Sequence, residues 1–229
     1  MKTKLNLNSG VALFTSVLTL LTLILAYNTP PLSGPFCRAA SCFQYPYLDI
    51  ASRFPRDYYW MAPAMGIVVA YLILMLILSN RTEAKKKLFG QLTVIFASMS
   101  TAIFLLTFFT QLSVIQPSLL KGEADGISLL TQFNPHGLFI ALEELGFLLM
   151  VASFLFVGLA MTVKTRLEKW IKGIFIGGFA LTILSLVIIL ATMGLNREYF
   201  FEVAAYSLTW PTLIINGFLL FKLFKKDQA

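Results

Sequence analysis

The chain has 229 residues, 58% hydrophobic and 13% charged, with 21 Phe, one His and a mean hydropathy of +0.79. A soluble domain carries about twice that charged fraction, so this chain lacks the polar surface to coat a water-soluble globule. The same numbers exclude disorder, coiled coil, collagen and a disulfide-dense secreted scaffold. What remains is an all-α, polytopic integral membrane protein.

Six stretches reach the roughly 20 apolar residues that a helix needs to cross the ~30 Å hydrocarbon core: 10–27, 58–79, 88–115, 137–163, 173–195 and 201–221. None alternates like a barrel strand. They form one six-helix transmembrane domain over residues 1–229. Lys2 and Lys4 precede the first run, as in a signal peptide, but no A-x-A-like cleavage site follows it, so an uncleaved helix is expected.

Residues 28–57 form the longest connection and hold the only two cysteines, Cys37 and Cys42. On the outer side of a membrane, a C-x4-C pair reads most simply as a local disulfide, which closes a short loop and contributes about 2 kcal/mol. The aromatic segment 45–54 is expected to lie along the outer interface as a cap over the bundle. In the second span, Ala62, Gly66 and Ala70 make a stripe of small residues that lets backbones approach closely. Gly173, Gly177 and Gly178 do the same at the start of the fifth. Before the fourth span, Asn134-Pro135 reads as an N-cap followed by the first helical position. Trp210-Pro211 falls inside the sixth span, where proline removes a backbone donor and is expected to kink the helix.

Basic residues orient the bundle. Thirteen fall on the side that holds both termini (Lys2, Lys4, Arg81, Lys85, Lys86, Lys87, Lys164, Arg166, Lys169, Lys172, Lys222, Lys225 and Lys226). Five fall on the other (Arg38, Arg53, Arg56, Lys121 and Arg197). By the positive-inside rule the N and C termini are cytoplasmic and the protein is a multi-pass component of the cytoplasmic or plasma membrane. The formal charge of +7 is therefore mainly a topology signal. No clustered basic face of the kind that grips nucleic acid is present. Tyr27, Tyr58, Tyr59, Trp60, Tyr199 and Phe200 gather at outer span ends and Trp170 at an inner one, as an interfacial belt does.

The strongest anomaly is Glu143-Glu144 inside the fourth span. A carboxylate at a helix centre costs roughly 2.5–3.5 kcal/mol, which the fifteen Leu, Ile, Phe and Val of that span offset at roughly 0.3–0.6 kcal/mol each. The pair must face protein or water, and no Lys or Arg lies within any of the six runs to form a buried ion pair. His136, seven residues earlier, is about 10 Å up the same helix face, which makes a His–water–Glu path geometrically feasible. The alternative is polar packing of the pair against Ser98, Ser100, Thr101, Thr107, Thr212 or Asn216. Candidate ligand- or proton-binding residues are thus Glu143, Glu144, His136 and Asn216.

Several chemistries are excluded. One histidine cannot supply H-E-x-x-H zinc or bis-histidine haem ligation. Neither a G-x-S-x-G elbow nor a Walker loop occurs, and no span carries a lysine for a retinal Schiff base. Glu143-Glu144 resembles the opening of the E-E-x-x-x-R motif of intramembrane prenyl-protein proteases, but Leu148 replaces the arginine and the later histidines are missing. The first span also lacks the A-x-x-x-A signature of the six-helix substrate-binding subunits of vitamin importers. No catalytic set, metal site or cofactor motif is complete, which weighs against an enzyme. The leading expectation is a protein that binds or transports a small solute, ion or proton at an interhelical site near Glu143 and Glu144. Its alternative is a non-catalytic subunit or scaffold packed on a membrane-protein partner. A membrane-embedded enzyme without a recognised motif stands third. The lipid bilayer is a partner in each.

Overall fold

Apolar runs bounded by charge and proline become helices because a chain without water to satisfy its backbone must bond each amide within its own segment. In a computed structural model, residues 7–29, 32–38 and 41–226 are described. Lys2 and Lys4 lie outside the described residues. Six long helices cover the expected runs: α1 Leu7–Tyr27, α2 Met61–Asn80, α3 Lys87–Thr110, α4 Leu138–Ala160, α5 Arg166–Met193 and α6 Phe200–Lys226. All six are long and apolar enough to cross a membrane, and no strand occurs among the described residues.

Boundaries differ from expectation where local chemistry intervenes. The α5 helix begins seven residues early because Thr165 and Glu168 form a reciprocal capping box. Charge at Lys169 and Lys172 excludes those turns from hydrocarbon but not from the helix. After Thr110, α3 passes through a π-helical turn, Gln111–Ile115, into Gln116–Leu120. Asn134 does not cap α4. Its Oδ1 accepts from the His136 amide at 2.9 Å and its Nδ2 donates to Ser128 O at 2.7 Å, a side-chain turn that ends at Gly137. The α6 helix is continuous across Pro211.

The helices close a ring in chain order, with α1 returning against α6, and α4 also touches α2 and α6 across the interior. Burial of the spans falls from 56% for α4 to 17% for α5, so α4 carries the interior groups. Correspondingly, α5 turns Leu181, Leu184, Val187 and Ile188 outward.

Helix α1 is inside out. Its buried face is Ser9, Ala12, Thr15, Ser16, Thr19 and Thr22, while Leu20, Leu21, Ile24 and Leu25 are exposed. Thr15, Thr19 and Thr22 donate back to carbonyls one turn earlier, so small hydroxyl residues pack without unmet polarity. The closest approach is at Gly217 of α6, where a Cβ would stand 2.8 Å from Ala12 O and would strike Ser16. The expected stripe on α5 is only partly used. Gly178 lies against Thr212, but Gly173 and Gly177 face nothing within 4 Å.

The connections at the end away from the Lys-rich turns weld into a cap. Phe36 packs edge-on against Phe200 and Phe43 against Phe133, with centroids 5.0 and 5.3 Å apart. Gln111 fastens the 127–132 segment by donating to Leu130 O at 2.6 Å and accepting from the Gln132 amide at 3.0 Å. The sulfurs of Cys37 and Cys42 lie 2.02 Å apart, at disulfide distance.

Candidate functional site

Directly under the cap, between the end of α1 and the cap-side halves of α4 and α6, lies a cavity of about 110 Å³. At about 30 Å³ per water it has room for on the order of four waters. Trp60, Phe139, Phe147, Tyr206 and Trp210 contribute aromatic wall, and Ser33, Gln132 and Tyr199 form the side toward the cap. Its acidic groups are Glu143 from α4, Glu202 from α6 and Asp57 from the turn before α2.

These carboxyls are in three different electrostatic states. Asp57, only 5% exposed, is doubly matched: Arg53 Nε reaches Oδ2 and an Arg56 guanidinium nitrogen reaches Oδ1, each at 2.7 Å. Glu144 is paired once, with Arg197 at 2.6 Å. The absence of any cation from the apolar runs predicted no such pair. It forms because Glu144 lies only about 9 Å along α4 from Leu138, near the outer end, and the arginine stem spans that depth from the α5–α6 turn. Glu143, one residue back, has no cation within pairing distance among the described residues. It is 2% exposed, and its Oε2 is buried without a hydrogen-bond partner.

Opposite Glu143 stands Glu202, whose carboxyl is within hydrogen-bond reach of it. Two carboxyl groups make a hydrogen bond only when one of them carries the proton. Glu202 also has no Lys or Arg partner among the described residues. Glu202 lies in the first turn of its span, where an acidic residue is unremarkable, so its place in the sequence does not single it out. The missed signal was Glu202 and Tyr206, one helical turn apart on the same face.

The lid over the cavity is held by Tyr199, whose hydroxyl pairs with Ser33 Oγ at 2.8 Å and donates to Gln132 O at 3.2 Å. Burial pushes this phenol above its ordinary value. The Ser33 hydrogen bond opposes that rise, and the negative potential of Glu202, Tyr47 and Glu198 adds to it. Gly34 is required beneath the ring, since a Cβ there would sit 2.6 Å from Tyr199 Cε2.

Of the residues expected from sequence, only Glu143 lines the cavity. Glu144 is beside it in the ion pair. His136 is exposed at the cap and outside the cavity. Asn216 is fully buried with neither amide atom partnered, but it lies about 21 Å down α6 from Glu202 and does not line the cavity. The hydroxyls considered as Glu partners bond elsewhere: Ser100 to Gly146 O, Thr101 to Val68 O, Thr107 to Ile103 O and Thr212 to Leu208 O. Among the described residues, no three or more His, Cys, Asp and Glu gather as a metal-holding group. No known protein family, curated protein or solved structure matches this chain.

Proposed function

We propose that this is an integral membrane protein of the cytoplasmic or plasma membrane that binds, and carries or senses, a small solute in the cavity beside Glu143. The observation that carries this reading is Glu143, without a Lys or Arg partner among the described residues and with its Oε2 unbonded, on the wall of a space large enough for a small molecule. An intramembrane acid is costly and persists where it has work to do. Thirteen cations against five favour cytoplasmic termini, which turns the cavity and its cap to the outside. The subunit or scaffold reading expects a fully satisfied acid pair and no cavity, so the same observation speaks against it. The outward apolar face of α5 is equally served by lipid.

Val203 lines the cavity and is partly exposed at the edge of the core, so Val203→Phe fills the space from its rim. Native mass spectrometry of the protein released from its own membrane, beside Val203→Phe, tests the reading. A small-molecule adduct on the wild type that Val203→Phe lacks is expected. Identical spectra from the two proteins would count against solute binding.

A further inference from the structure

The chemical class of the solute is legible in how charge is distributed around the cavity. Every group that faces Glu143 can be assigned. Glu144 on its own helix is neutralised by Arg197. Asp57, before α2, is neutralised by Arg53 and Arg56. From α6 come Glu202 and the hydroxyl of Tyr206, and from the turn before it Tyr199, which is engaged with Ser33 and Gln132. Among the described residues, Arg53, Arg56 and Arg197 are thus committed to Asp57 and Glu144, while Glu143 and Glu202 have no Lys or Arg partner and face each other. The remaining wall mixes aromatic rings, Trp60 and Trp210 among them, with aliphatic side chains such as Leu32, Ile140 and Val203.

An anion would meet two acidic groups and no free donor cation. A neutral apolar solute would leave Glu143 Oε2 unpaired. A hard divalent ion takes six or more oxygen ligands, and among the described residues no three or more His, Cys, Asp and Glu gather to hold one. A compact ammonium ion with a short hydrocarbon body answers both halves of the wall: its N–H groups donate to carboxylate oxygens, and its charge is attracted to ring faces.

Building on the solute-binding reading, we propose that the cavity takes a small organic ammonium ion, which sits between Glu143 and Glu202 in exchange for the proton those two carboxyls share. The exchange balances: one positive charge enters as the ammonium and one leaves as H⁺, and no covalent bond to carbon changes. Binding is therefore weaker at lower pH, where protons compete for the same oxygens.

The chain has three tryptophans, and two of them, Trp60 and Trp210, line the cavity, so intrinsic fluorescence reports its occupancy. The purified full chain, titrated with butylammonium, 1-butanol and butyrate, should give a saturable change with the ammonium alone. Proton release into weak buffer should accompany it. Glu143→Gln and Glu202→Gln should each weaken ammonium binding about tenfold or more. Because either variant could fold poorly, proton release by the wild type is the independent readout. Saturable binding of butanol or butyrate with no response to the ammonium would overturn the ammonium assignment while leaving a solute site standing. Ammonium binding without proton release would overturn the exchange. No saturable response to any of the three, together with identical adduct spectra for wild type and Val203→Phe, would remove the solute site itself.

Discussion

Arg197 closes to 2.6 Å on Glu144 from the turn between α5 and α6, and the two partners are unequally buried, with side chains 32% and 7% exposed. That inequality sets the consequence of breaking the pair. Arg197→Gln strands a carboxylate in a buried position, a change that costs several kcal/mol in a fully enclosed pair; with one partner near water, about 1–3 kcal/mol is expected. Glu144→Gln frees an arginine that can turn toward solvent, so it should cost less than half as much. Thermal unfolding of both variants in detergent checks the order, and equal losses would contradict it.

Close approach of α1 and α6 depends on Gly217, where a side chain would meet Ala12 O and Ser16. Gly217→Ala is expected to destabilise by about 1–3 kcal/mol through overpacking. Gly177→Ala, which faces nothing within 4 Å, should be neutral or slightly stabilising. Paired thermal melts test this, and a greater loss at Gly177 would refute the packing described.

Tyr199 links the cap to the cavity, and its phenol is held above its ordinary value of 10.0 chiefly by burial. The folded state therefore keeps a proton that the unfolded chain gives up as pH rises past about 10. Stability from this group is complete below that pH and declines above it. Tyr47, raised by burial and by Glu198, adds in the same direction. Melting temperature should fall above about pH 10, and Tyr199→Phe should flatten part of that fall while lowering stability at neutral pH by the lost hydrogen bonds.

Topology has its own test. The only two cysteines lie at disulfide distance from each other, so added single thiols report alone. On intact cells a membrane-impermeant maleimide should label Lys121→Cys and leave Lys85→Cys unreacted until the membrane is opened. The reverse pattern would invert the orientation.

Six helices were legible because hydrocarbon crossing imposes a length and polarity that composition alone reveals. Glu143 was legible because an acid flanked by Leu and Phe has no innocuous explanation. Glu202 was hidden at a helix start, and its meaning depends on which helix faces α4. The partner of Glu144 was hidden for a related reason: Arg197 belongs to a turn in sequence but reaches into the bundle in space. Asn216 is one more polar residue in an apolar run, and only the length of α6 between it and Glu202 separates it from the cavity. Contacts within one helix are thus readable from spacing, whereas pairing between helices requires the packed ring.

Whether Glu143 anchors a solute site is decided by thermal stability measured across small amines, alcohols and carboxylates of matched shape. The wild type should be stabilised saturably by one of these charge classes, and Val203→Phe should not respond to it. Matching responses of the two proteins across the whole panel would contradict the site.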